Sequence, residues 1–175
     1  LVHPDNLIRT HRLGCIPLEK VTNSYTPVDL SRAVERCAKR GKFDEAIQLF
    51  FIYSVYGHFD QGRMSDRTAT SAISVLNTWT FQALSVRQTE EMRSAAEKLK
   101  DISGPLFKTV CGATQRLGPP SYVPLYMLAH GMKAFRFVGD EAQYLSRKEL
   151  VELVKDVDTD SLWKESLHEA NRCPP

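Results

Sequence analysis

From Thr26 onward the chain sorts apolar and polar residues at helical spacing. Leu30, Ala33, Val34, Cys37 and Ala38 fall at i, i+3, i+4, i+7 and i+8 and form one apolar stripe. Arg32, Glu35, Arg36, Lys39 and Arg40 take the other face. Thr26 is a good N-cap, Pro27 suits the first helical position and Gly41 suits the residue just past the end. A second stripe, Phe43, Ala46, Ile47, Phe50 and Tyr53, follows at once and breaks near Gly57, so residues 57–65 read as a loop. Ser65 or Asp66 can cap a third helix with Ala69, Ala72, Ile73, Leu76, Trp79 and Ala83 inward. A mostly polar fourth helix spans about Thr89 to Ile102, with Met92, Ala95, Ala96 and Leu99 as its stripe. Leu106 to Leu117 makes a fifth.

The stretch from Pro119 to Phe135 differs from these. After Pro124 it is apolar almost all round, interrupted only by His130 and Lys133. Such a segment predicts a central helix packed on several sides, with Gly131 marking a close backbone approach. Phe137 to Leu145 reads as a loop. Ser146 and Glu149 form a capping box before a short helix, and a last helix carries Leu162, Trp163, Leu167 and Ala170. No segment alternates convincingly with period two. The expected fold is therefore all-α, a compact bundle of seven or eight helices over residues 26–175, with residues 1–25 as an extended arm. The glycine, aromatic and alanine at Gly41, Phe43 and Ala46 resemble the turn of a tetratricopeptide-type helical hairpin. The spacing does not recur about 34 residues later, so the hairpin is local and not part of an array.

Composition narrows the classes. The chain has 175 residues, enough for one well-buried domain. Its net charge is +2, without the concentrated basic face that nucleic acid demands. No apolar run is long enough to span a bilayer. Leu1 stands where a Met would begin a nascent chain, and we expect an upstream segment to have been removed, with any secretion signal in it. Cys15, Cys37, Cys111 and Cys173 are four in number and lack the spacing of zinc ligands. Cys15 and Cys173 lie in segments with little else to anchor them. We expect two disulfides and an oxidising compartment, and of the three pairings favour Cys15–Cys37 with Cys111–Cys173, each joining an arm to a helix.

Candidate chemistry is sparse. Asp156, Asp158 and Asp160 open like a calcium loop, but Ser161 and Leu167 stand where that loop needs Gly and Glu; they read as helix-capping carboxylates. No metal or cofactor is expected, and no hydrolase, zincin or nucleotide-binding motif is present. His130 reads as a core imidazole bonded to backbone or to a buried carboxylate. Two presumed loops mix aromatic and charged residues as recognition surfaces do. They give the candidate partner-binding residues Tyr56, His58, Phe59, Asp60 and Arg63, and Phe137, Asp140, Glu141 and Tyr144.

The pattern P-x-Y-M-x-x-H-G-M-x-A-F, from Pro124 to Phe135, resembles a core of small secreted helical proteins of Gram-negative bacteria. His3 to Leu7 and the helix from Asp29 to Gly41 are similar to that group too. Some of its members are immunity proteins paired with type VI secretion effectors that attack the cell envelope. The resemblance implies a periplasmic, non-enzymatic protein, often with a lipid anchor upstream. It would inhibit a cognate peptidoglycan hydrolase or lipase by occluding its cleft. The alternative is a helical adaptor holding a peptide in the groove of the Thr26–Tyr56 hairpin.

Overall fold

The computed structural model describes all 175 residues. Eight α-helices follow one another: α1 (Pro27–Lys39), α2 (Phe43–Gly62), α3 (Ala72–Gln82), α4 (Val86–Glu97), α5 (Pro105–Leu117), α6 (Leu125–Leu128), α7 (Arg147–Val151) and α8 (Thr159–Asn171). Between α6 and α7 lies a two-stranded antiparallel ribbon, β1 (Phe135–Val138) and β2 (Glu141–Tyr144). Short 3₁₀ turns occupy Leu18–Lys20, Arg67–Ser71 and Met132–Ala134. The fold is thus mostly helical, and the ribbon corrects the expectation of an all-α chain.

Helix α1 starts where its capping residues dictate. Thr26 accepts from the Asp29 amide, and the Asp29 carboxylate accepts from the Thr26 amide. At the other end Gly41 takes φ +73°. The Lys42 amide then reaches the Cys37 carbonyl at 2.9 Å and the Gly41 amide reaches that of Ala38, a Schellman closure. The chain reverses there and α2 lies back against α1.

Helix α2 is the central strut, a role the sequence pattern had assigned to Pro119–Phe135. It runs past Gly57 to Gly62, and nearly every turn of it is buried. Gly57 does not break the helix, because burial repays its intrinsic cost of about 1 kcal/mol relative to Ala. A Cβ at Gly57 would meet Ile73 of α3 at 2.9 Å, and one at Gly62 would meet Leu162 of α8. Both glycines mark where neighbouring helices come close.

The Pro119–Phe135 stretch is buried only at Pro124, Tyr126–Ala129, Gly131 and Ala134, with Val123, Met132 and Lys133 exposed, and it is helical only for the single turn of α6. Pro124 caps that turn, and Gly131 adopts extended backbone (φ −76°, ψ 161°) that ends it. An all-round apolar run does not by itself report helicity. The close approach predicted at Gly131 is present, since a Cβ there would run into the Asp66 carboxylate and Ala69.

Both disulfides pair as expected. Cys15–Cys37 pins the arm to α1, and Cys111–Cys173 pins the tail to α5. The arm, residues 1–25, is further held by Asp29, which accepts from the amides of Thr10 (2.8 Å) and His11 (3.0 Å). Its Leu7, Leu13 and Val21 enter a common core of 36 residues that reaches every helix, while the ribbon contributes none of the 36. No helix is long and apolar enough to cross a membrane.

Candidate functional site

The two sets of candidate residues have opposite fates. Tyr56, His58, Phe59 and Asp60 were expected in a projecting loop; they lie inside α2, and Arg63 caps its end. Tyr56, Phe59 and Asp60 are buried. The Tyr56 hydroxyl donates to the Gly118 carbonyl at 3.1 Å, and Phe59 packs edge-on to Trp163 of α8. His58 Nδ1 sits 3.1 Å from Ser166 Oγ. These side chains therefore bind α2 to its neighbours and present no plug.

Asp60 is the hub of this cluster. Its carboxylate accepts from the Arg63 guanidinium, from Tyr126 Oη at 2.7 Å and from Tyr122 Oη at 2.9 Å. Arg63 lies over the Phe59 ring, 4.9 Å from its centroid, and donates to the Tyr122 carbonyl. Burial pushes the Asp60 carboxyl up from the ordinary range, against the pull of Arg63, Tyr126 and Tyr122. The same burial raises the Tyr122 and Tyr126 phenols well above their usual values. The arrangement is a buried polar network that joins α2 to Tyr122 and Tyr126, with Arg63 Nε as its one unpartnered donor. Truncating Phe59 would open the core and lower the melting temperature, so it cannot serve as a surface probe.

The second set stands on the β1–β2 ribbon. Phe137 pairs with Ala142 and Val138 with Glu141, which leaves Gly139 and Asp140 as a two-residue turn. Gly139 at the first central position, with φ +62°, fits a type II′ turn. The base of the ribbon is anchored. His3 packs edge-on against Phe135 and Tyr144, and its Nε2 donates to the Leu145 carbonyl at 2.9 Å. Arg136 donates to Glu149 at 2.6 Å. Glu149 also accepts from the Ser146 amide, and these bonds draw its carboxyl down to about 2. Asp5 accepts both arms of Arg147 just behind the ribbon, which lowers its carboxyl.

The tip, in contrast, is bare. Phe137 is 70% exposed and Val138 57%, with Asp140 and Glu141 in solvent beside them, while Tyr144 at the base keeps 42% of its surface exposed. No third strand joins either edge. At four residues per strand, the ribbon is too short for period-two alternation to distinguish it from a loop. The signal that marks it is the Gly-Asp pair after the run Phe135-Arg136-Phe137-Val138, with Tyr144 as the single strong strand former on the return.

His130 is half-buried, and burial lowers its imidazole below the ordinary range. Its partners differ from those expected. Nδ1 meets Asn6 Oδ1 at 2.8 Å and Nε2 meets Ser71 Oγ at 3.1 Å, so it ties the arm to the turn before α3. Ser71 also donates to the Thr68 carbonyl. Asp158 accepts from the Ser161 amide at the start of α8, the capping role assigned to that acidic run. Three or more His, Cys, Asp or Glu side chains nowhere converge in a metal-holding group.

No protein-family model, curated protein or solved structure matches this chain.

Proposed function

We propose that the protein is a periplasmic inhibitor of the immunity type, which binds a cognate envelope-degrading effector and blocks its cleft with the β1–β2 ribbon. The observation that carries this reading is the exposed Phe137 at the tip of a ribbon whose base is fixed. Exposed apolar side chains of this size in a cluster mark interaction surfaces, and aromatic residues rimmed by charge are the usual energetic anchors of protein interfaces. A ribbon with free edges also offers backbone donors and acceptors to an extended segment of a partner. Two disulfides on a small body suit an oxidising compartment. The motif from Pro124 to Phe135 supports the immunity class by resemblance, with Tyr126 to Ala129 and Ala134 in the core and the ribbon as its outward extension.

Inhibition here is steric. Phe137 and Val138 would enter the enzyme's cleft, Asp140 and Glu141 would meet its rim, and Tyr144 would flank the contact. The peptide-holding adaptor finds less support, because the arm is stapled along α1 by Cys15–Cys37 and by the Asp29 bonds.

The test is binding to the effector encoded beside this gene, measured by calorimetry and by survival of cells that express the effector in the periplasm. We expect the double variant Phe137→Ser, Val138→Ser to lose about 30-fold or more in affinity, the scale of an interface hot spot, and to lose protection. Its melting temperature should match the parent, since neither side chain is buried. Undiminished affinity would exclude the ribbon as the plug, and failure of the parent protein to bind or protect would sink the inhibitor reading.

A further inference from the structure

The overall charge of +2 conceals a local concentration of arginine. Arg9 of the arm and Arg32 and Arg36 of α1 line one cleft of about 310 Å³, together with Leu7, Val28 and Glu35. Glu35 is the single carboxylate in that lining, and it is already engaged. It accepts from Lys39 at 2.6 Å and from Arg32 at 3.2 Å, and these contacts hold its carboxyl below the ordinary range despite the opposing effect of burial. Arg36 spends one N–H on the Leu13 carbonyl. Arg9 makes no side-chain bond to the rest of the protein in the hydrogen-bond network.

Like charges gathered in one cleft repel, so other forces must hold them there. The structure supplies these from outside the cluster. Cys15–Cys37 ties the arm to α1 at the residue directly after Arg36. Asp29 grips the amides of Thr10 and His11 directly after Arg9. Leu7, buried and at φ +51°, takes a left-handed turn that brings the chain round to Arg9, a conformation that costs a non-glycine residue free energy. The Leu7 amide is held by the Tyr126 carbonyl at 3.1 Å. Each constraint fixes Arg9 opposite α1, and none of them needs the arginines themselves.

We infer that this cleft is a binding site for a phosphate-type oxyanion, with Arg9 and Arg32 as its principal donors and Arg36 as a third. Planar guanidinium forks match phosphate oxygens in pairs, and such charge-assisted bonds are about twice as strong as neutral ones. The charge is complementary, the backbone that carries Arg9 is fixed opposite α1, and the buried Leu7 and Val28 give the cleft an apolar floor. The shared chemistry is the phosphate group. Its source is either a free phosphate compound or the headgroup of an anionic lipid.

The experiment titrates the intact, oxidised protein with inorganic phosphate and with pyrophosphate by calorimetry. In parallel, it is sedimented with vesicles of phosphatidylglycerol in phosphatidylcholine and of phosphatidylcholine alone. We expect saturable binding in at least one arm, weakened by salt. The double variant Arg9→Gln, Arg32→Gln should lose about tenfold or more, as expected on removing hydrogen bonds from charged donors, while Lys164→Gln on α8 leaves binding unchanged. The double variant should keep its far-ultraviolet circular dichroism and melting temperature, because neither side chain bonds the arm to the body. Binding of the soluble anions points to a free ligand, and binding only of phosphatidylglycerol vesicles points to a headgroup; both uphold the site. Absence of saturable binding in every arm would overturn the inference. So would equal binding by the double variant, or an acidic peptide that binds as tightly and is not displaced by phosphate.

Discussion

The end of α2 and the β1–β2 ribbon look alike in sequence and are opposites in structure. Each carries aromatic side chains beside acids and an arginine, and each contains a glycine. In α2 the glycine lets Ile73 approach, and the aromatics and Asp60 vanish into the core. In the ribbon Gly139 turns the chain at positive φ, and Phe137 is left in water. Composition alone does not distinguish a recognition surface from a buried polar network. What separates them is the number of neighbours each acquires: α2 is packed against α1, α4 and α8, while the ribbon touches the body only at its base.

The sharpest way to break this contrast is Asp60→Ala. It would strand the Arg63 guanidinium and the hydroxyls of Tyr122 and Tyr126 in the core, and loss of one partner from a buried ion pair costs about 3–5 kcal/mol. Thermal or urea unfolding should register the whole of that loss. A change below about 1 kcal/mol, the range of ordinary surface substitutions and weak contacts, would mean that the network is not the strut it resembles.

Gly139→Ala should cost about 1–2 kcal/mol, the penalty for an L-residue with a side chain in left-handed backbone. The effect should stay local, seen as faster amide exchange along β1 and β2 with little change in global unfolding. A global loss as large as that of Asp60→Ala would show the ribbon to be part of the cooperative core, and the comparison would fail.

Acid should separate the two regions by sign, with the smallest effect. Glu149 at the ribbon's base has a folded value lowered from 4.5 to about 2. Its contribution is present above 4.5 and is lost as pH falls through about 2. Asp5, lowered by Arg147, follows the same direction. Asp60 is raised above 3.8. Its contribution is therefore fully present below that value and is lost as pH rises through its folded value. Protection of the Arg136 amide, taken relative to its intrinsic exchange rate at each pH, should fall on acidification, and Glu149→Gln should remove that response. Asp60→Asn should flatten the opposite trend in global stability. Parallel slopes in the two regions would contradict this assignment.

Much of the helical framework was legible in the chain because its determinants are local. Thr26 with Pro27, and Ser146 with Glu149, satisfy orphan amides within one turn, and the α1 stripe needs no knowledge of its partner. The favoured disulfide pairing is the one observed, although the cysteine positions left three pairings open. The ribbon was only faintly marked, by four-residue strands around Gly-Asp. The location of Tyr56, Phe59 and Asp60 was not legible, because Gly57 reads equally as a helix break or a helix contact until α3 is placed against it.

By itself, then, the sequence determined that the chain is mostly helical, where α1 and α7 begin and which face α1 buries. These depend on hydrogen bonds and periodicities a few residues long. The tertiary structure alone decided that Asp60 meets Tyr122 and Tyr126 some sixty residues on, that Phe137 stands clear of the body, and that Arg9 comes to face Arg32 and Arg36. Those outcomes depend on which surfaces exclude water from one another, and that is a property of the assembled chain.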